Sequence, residues 1–190
     1  WMWQFGVVSF LKKQNITFDI AHNLNFHNDW TPSYLWKLDK PFVWGPIGHH
    51  PLIPKQYLKP YKRTYWVKDR LRWLVKNYFW TISPALRKTI NKADFIFCMN
   101  KSVPKVLNLK NKNYAIVPSV ATEDFGFDPY QEKKKFTLIS AGRLIPLKGY
   151  DLSILAFAEF IKELPDSQKE QCKLIIIGRG PELAFYKKFR

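Results

Sequence analysis

The sequence predicts an α/β protein built on parallel sheets, and three observations predict it. Residues 136–141, FTLISA, form an apolar run of strand type that ends at Gly142, and GRLIPLKGYD then leads into helical periodicity. Leu152, Leu155, Ala156, Phe157, Ala158 and Phe160 recur as a helix buried on one side requires, and CKLIII at 172–177 reads as a fully buried strand of a parallel sheet. Strand, helix and strand in this order make a βαβ unit with a right-handed crossover. Strands and helices also alternate upstream of the polar, proline-containing stretch 121–135, which ends in three lysines. The chain therefore reads as two α/β layers, residues 1–125 and 126–190, with the boundary in that stretch.

The upstream elements follow in order. Residues 1–13 read as the end of an amphipathic helix, 16–21 as a strand, 23–29 as a polar loop, 32–38 as a short helix and 42–44 as a strand. GPIGHHP at 45–51 is rich in turn residues and is predicted to be a loop. A long helix is predicted over 65–80. A shorter one follows Ser83, whose hydroxyl can cap it with Pro84 at the first position. Strands at 95–99 and 114–117 flank a short helix at 102–108. Downstream, Pro181 suits the first turn of a further helix. No solenoid repeat is present.

Composition narrows the class. At 190 residues the chain can hold one domain with a full core, or parts of two. Its hydrophobic share of 46% argues against disorder. The two cysteines, Cys98 and Cys172, fall in predicted strands, as inert core thiols of a reducing compartment would. No apolar stretch reaches the length of about 18 residues that spans a bilayer. The net charge of +16 calls for an anionic partner or simply serves solubility. The chain starts at Trp1 and ends within a helical pattern, which reads as an internal fragment, inactive alone.

The 136–151 segment carries the chemistry. A strand feeding a helix through a short loop gathers free backbone N–H groups and the positive end of a helix dipole. Arg143 and Lys148, five residues apart, add two cations there, which suits a strongly negative group such as a diphosphate. Charge growing on a departing diphosphate would be met by these groups before the transition state forms, with no metal ion required. On charge and spacing alone, a solvated basic loop explains them equally well. Gly178 and Gly180 allow a tight turn after the second strand, and Arg179 between them faces either a phosphate or water. The three-glycine dinucleotide fingerprint is not met, which argues against a nicotinamide enzyme.

AGRLIPLKGYDLSILAFA at 141–158, followed by LIIIGRGPEL at 174–183, resembles the donor-binding half of family 4 glycosyltransferases. FDIAH at 18–22, PFVWGPIG at 41–48, ADFIFCM at 93–99 and IVPS at 116–119 resemble the acceptor half of the same enzymes. The resemblance implies a GT-B architecture: two Rossmann-like domains with parallel sheets, the second partly present. It implies transfer of a sugar from a nucleotide-diphosphate donor to an acceptor hydroxyl, in cell-envelope polysaccharide or glycolipid synthesis. Retention at the anomeric carbon is also implied, while the cysteines and the basic 62–80 window point to a cytoplasmic protein, peripheral on the inner face of the membrane. The implied donor-binding residues are Gly142, Arg143, Lys148, Gly149, Gly178 and Gly180, with Arg143, Lys148 and His49 catalytic. The implied acceptor-side loop comprises Gly45, Gly48, His49 and His50, with His49 or His50 directed at the acceptor or sugar. Three departures stand out. Pro118-Ser119-Val120 replaces Pro-Asn-Gly, the first glycine-rich loop is missing, and so is the pair of glutamates seven residues apart that the resemblance implies downstream of Gly180.

All four histidines, His22, His27, His49 and His50, lie in the first fifty residues, but none has the i, i+4 spacing of a helical zinc site. The window 62–80 holds six basic residues and one acid, with Trp66, Trp73 and Trp80 recurring every seven residues. Val67, Leu71, Leu74, Val75 and Tyr78 form the opposite stripe. A basic helix with tryptophans beside its charges suits an anionic membrane surface. Core packing of one stripe is the competing account. Two other functions fit parts of the chain: another GT-B enzyme, a nucleotide-sugar epimerase or phosphorylase, and a basic nucleic-acid binder. No RNA- or DNA-binding motif supports the latter.

Overall fold

The computed structural model describes residues 3–24, 28–118, 123, 124, 126 and 135–189. His27, the Ser119-Val120 turn and most of the 121–135 boundary stretch lie outside the described residues. By compactness the chain forms two units, Trp1–Leu52 with Lys68–Asp124, and Ile53–Val67 with Phe125–Arg190.

Apolar, β-branched and aromatic runs set up the first unit's sheet. Strands β1 (Ala21–Asn23), β2 (Phe42–Ile47), β3 (Phe95–Cys98) and β4 (Tyr114–Ile116) pair in parallel, in the order β1-β2-β3-β4. Ala21 pairs with Phe42, Val43 with Phe95 and Ile96 with Tyr114. Helix α1 (Trp3–Lys13) precedes the sheet, and a 3-10 turn (Leu35–Leu38) stands where a short helix was expected over 32–38. Phe42, Trp44, Ile47, Leu86, Ile96 and Cys98 are each at most 1% exposed and form the core with Val103 and Leu109. Asp94 Oδ2 accepts the Phe42 N–H at 2.7 Å and squares off the start of β2.

The expected loop at 45–51 is corrected in part. Strand β2 runs on through Gly45, Pro46 and Ile47, with a register shift against β3 between Trp44 and Ile47. Such an irregularity is where a sheet tolerates glycine and proline. Gly45 has φ +116°, and a Cβ there would sit 2.2 Å from the Phe97 carbonyl oxygen. The turn residues thus mark close backbone contact inside the sheet rather than an exit from it. The first strand also begins later than predicted, at Ala21.

Helix α2 (Lys55–Leu58) and helix α3 (Arg63–Thr81) follow β2. Helix α4 (Pro84–Lys92) starts as predicted, with Ser83 Oγ accepting the Leu86 N–H and Pro84 in the first turn. Helix α5 (Ser102–Val106) joins β3 to β4. Of the three α3 tryptophans, Trp66 stays beside the Lys55 ammonium, 5.8 Å from its ring centroid, and the other two do not border the charged side in the way the sequence suggests. The Trp73 and Trp80 rings turn inward onto His49, with centroids 6.4 and 5.1 Å away. The apolar stripe of Val67, Leu71, Leu74, Val75 and Tyr78 is the one left outside, between 38% and 64% exposed.

In the second unit, β5 (Phe136–Ala141) pairs in parallel with β6 (Cys172–Ile177), from Phe136 opposite Cys172 to Ala141 opposite Ile177. Helix α6 (Tyr150–Lys162) connects them, preceded by a 3-10 turn (Pro146–Lys148) and followed by α7 (Asp166–Lys169). Helix α8 (Leu183–Tyr186) begins two residues after Pro181, which lies in the turn ahead of it. Full burial of 172–177 is not observed: Ile177 is 55% exposed, and Leu138 and Ile139 of β5 are 42% and 65% exposed. With two strands, the described sheet leaves much of its apolar surface open. The unit's buried cluster lies instead at the strand ends, where Leu144, Tyr150 and Tyr186 meet Tyr61. Cys172 is half-buried; Cys98 is buried and its thiol is pushed up to about 11 by desolvation. Both cysteines are free.

Candidate functional site

Two loops leave the carboxyl ends of β5 and β6, where ligands of open parallel sheets bind. They run side by side as an extension of the sheet. Gly142 N–H bonds to the Ile177 carbonyl at 2.9 Å, Leu144 N–H to the Arg179 carbonyl at 2.9 Å and Glu182 N–H to the Leu144 carbonyl at 3.2 Å. Two glycines permit this approach. A Cβ on Gly178 would lie 1.9 Å from the Gly142 carbonyl oxygen, and one on Gly180 would lie 2.3 Å from that of Leu144. Both glycines are therefore required by loop-on-loop packing.

This packing sorts the side chains of the first loop. Leu144 is 3% exposed and anchors it, while its neighbour Arg143 is exposed. Lys148 ends the 3-10 turn and is also exposed. Gly149 then takes φ +64°, a left-handed conformation that favours glycine, and caps the start of α6. The first bond of the helix runs from Ser153 N–H to the Gly149 carbonyl, so the N–H groups of its first turn point out of the helix end. Lys148 Cε passes 3.8 Å from the point a Cβ on Gly142 would occupy, and the Tyr150 hydroxyl 2.7 Å from it. Gly142, Lys148 and Gly149 are thus brought together, with Arg143 on the same loop and Arg179 on the adjoining one. The chemistry available is two to three cations and free amides beside a helix mouth, an arrangement for a multiply charged anion.

The helix mouth also carries a carboxylate that sequence reasoning gave no role. Asp151 is 5% exposed, and its Oδ1 accepts the Tyr61 hydroxyl at 2.6 Å. Tyr61 Oη lies 3.0 Å from Tyr186 Oη, and Tyr186 bonds to the Ile145 carbonyl at 3.2 Å. Tyr65 donates to Glu182 Oε1 at 2.6 Å. Burial first, then the Asp151 hydrogen bond, holds the Tyr61 phenol far above its ordinary range. The Glu182 hydrogen bond raises Tyr65 to about 12.

In the first unit, Gly48, His49 and His50 follow β2. Gly48 makes a parallel bridge with Asn28, which sets the Asp29 side chain beside His49. His49 Nδ1 donates to Asp29 Oδ2 at 2.7 Å, and the two side chains are 8% and 1% exposed. Among the described residues, Asp29 Oδ1 has no hydrogen-bond partner. Burial lifts the Asp29 carboxyl above its ordinary range, while the His49 hydrogen bond and charge and the Lys76 charge oppose the rise. Burial lowers Lys76, whose Nζ reaches the His50 carbonyl at 3.3 Å. His50 itself is exposed. His22 is at the surface, and its Nε2 donates to the Gly45 carbonyl at 2.9 Å. Of the four residues expected in an acceptor-side loop, Gly48, His49 and His50 lie past the strand, while Gly45 lies within it. Sequence reasoning missed Asp29. Its pairing with His49, twenty residues away, depends on the parallel bridge and leaves no mark in the sequence.

Residues 122–190 match the model of the family described as glycosyl transferases group 1. No curated protein matches the chain. The matched stretch contains both loops and helix α6. The mixed α/β architecture with two parallel sheets is consistent with a partial Rossmann-like GT-B fold.

Proposed function

We propose that this chain belongs to a retaining glycosyltransferase that moves a hexosyl group from a nucleotide-diphosphate sugar to an acceptor hydroxyl. Arg143 and Lys148 neutralise the departing diphosphate, and the amides around Gly142 and Gly149 hold its oxygens. No metal ion is needed, because fixed cations meet the developing charge. Gly178 and Gly180 let the second loop support the first. His49 acts toward the acceptor hydroxyl: with Nδ1–H held by Asp29, the imidazole's other nitrogen carries the lone pair that takes a proton. In this reading the protein works at the cytoplasmic face of an anionic membrane, where lipid-linked acceptors of envelope polysaccharide or glycolipid synthesis reside, and the exposed apolar stripe of α3 beside Lys68 and Arg72 supports that contact.

One observation carries this reading. Exposed Arg143 and Lys148 stand at the carboxyl ends of parallel strands and beside a helix start, within the stretch that matches the family. Calorimetric titration with UDP and GDP tests it. The chain should bind at least one of them, and Arg143→Ala with Lys148→Ala should weaken binding by at least tenfold, because each charge-assisted hydrogen bond contributes about 1.5–3 kcal/mol. Undiminished binding by the double variant, or no binding by the unaltered chain, would overturn the proposal.

A further inference from the structure

Segment 53–67 of the second unit holds a cavity of about 330 Å³ lined by Lys55, Leu58, Lys59, Tyr61, Arg63 and Trp66. Lys55, Lys59 and Arg63 follow one another at intervals of four residues. The first opens α2, the second caps its end and the third opens α3. Three cations therefore border one opening, and among the described residues no carboxylate lines it. The opposing charges nearby are already engaged, since Asp151 accepts from Tyr61 and Glu182 from Tyr65.

The floor is aromatic. Tyr61 is 7% exposed and its hydroxyl is held by Asp151, which fixes the ring. Lys55 Nζ lies 5.8 Å from the centroid of the Trp66 ring. That is near the outer limit of about 6 Å for a cation–π contact, so the ammonium is loosely held there and can turn to an anion. Leu58, 5% exposed, closes the base. The cavity lies at the low end of small-molecule sites, which run from roughly 300 to 1,000 Å³.

We propose that this cavity binds a phosphorylated monosaccharide. Arg63 presents its planar fork to the phosphate oxygens, Lys55 and Lys59 complete the charge, and the apolar face of the sugar ring lies on the Trp66 indole. None of its residues belongs to the Gly142–Lys148 loop, so the proposal stands apart from the diphosphate reading.

The test follows the indole N–H resonance of Trp66, assigned by its loss in Trp66→Phe, during titration with glucose 1-phosphate, glucose 6-phosphate, inorganic phosphate, glucose and UDP. A sugar phosphate should shift this resonance saturably, at least tenfold more tightly than inorganic phosphate or glucose. Lys55→Ala with Lys59→Ala and Arg63→Ala should weaken that binding at least tenfold, while the remaining indole resonances report an intact fold. Arg143→Ala with Lys148→Ala should leave it unchanged, so loss of either site is read separately. No shift with either sugar phosphate, equal binding of inorganic phosphate, tighter binding of UDP, or retained binding by the triple variant would each overturn the proposal.

Discussion

His49 Nδ1 stands 2.7 Å from Asp29 Oδ2, and water reaches almost none of either side chain. Withdrawal from water lifts the folded-state pKa of Asp29 above its ordinary value of 3.8, against the opposing pull of His49 and Lys76. The folded protein therefore binds this proton more tightly than the unfolded chain does. Stability falls as pH rises through the interval between the two values and returns as pH drops through it. Asp29→Asn removes that dependence. Its unfolding free energy minus that of the unaltered protein should rise with pH across the acid range. Urea unfolding at stepped pH measures this, and a difference that shrinks with rising pH contradicts it.

Backbone contact between the two strand-end loops leaves no room at Gly178. Gly178→Ala should cost about 1–3 kcal/mol, the usual range for overpacking, because its Cβ would meet the Gly142 carbonyl oxygen at 1.9 Å. Gly6 offers the opposite case, with nothing within 4 Å of an added Cβ inside helix α1. Gly6→Ala should stabilise by about 0.5–1 kcal/mol. Thermal or urea unfolding should separate the two in sign.

The phenols that bind Asp151 and Glu182 differ in burial. Tyr61→Phe strips a buried carboxylate of its 2.6 Å partner and should cost about 1–3 kcal/mol. Tyr65→Phe should cost less, since Tyr65 is only half-buried. Tyr65 is raised to about 12, so its contribution is full below an unfolded phenol's pKa of about 10 and is lost as pH rises through the folded value. Alkaline unfolding of Tyr65→Phe should be flatter than that of the unaltered protein over this interval.

The inward turn of Trp73 and Trp80 moves the membrane prediction onto the exposed leucines of the same helix. Leu71→Gln with Leu74→Gln should abolish co-sedimentation with vesicles of phosphatidylglycerol and phosphatidylcholine, and raised salt should weaken binding of the unaltered protein. Retained binding by the double variant would place any membrane contact elsewhere.

The βαβ unit was legible because its strands are continuous apolar runs and its glycines fall at strand ends. Helix α4 was legible because Ser83 and Pro84 carry a start signal that depends on four neighbouring residues alone. Gly45 and Pro46 misled, since turn residues look the same in a loop and in an irregular strand, and only the neighbouring Phe97 backbone tells them apart. The exposed face of β6 was also hidden, because an apolar run records what a strand can bury and not what covers it. For the candidate site, the sequence shows that Arg143 and Lys148 share the loop after a strand, and the structure adds that both are exposed. Asp29, Tyr61 and Glu182 were not legible, because each acts through a partner twenty to more than a hundred residues away.

The tie between Tyr61 and Asp151 spans ninety positions. A stretch excised at residue 125 would leave behind the phenols that seat against Asp151, Glu182 and Tyr186, and would expose the ring stack around Phe185. Chimaeras that graft this half onto a relative must therefore transplant 53–67 with it. The natural cut is discontinuous, and a single-crossover exchange breaks the seam.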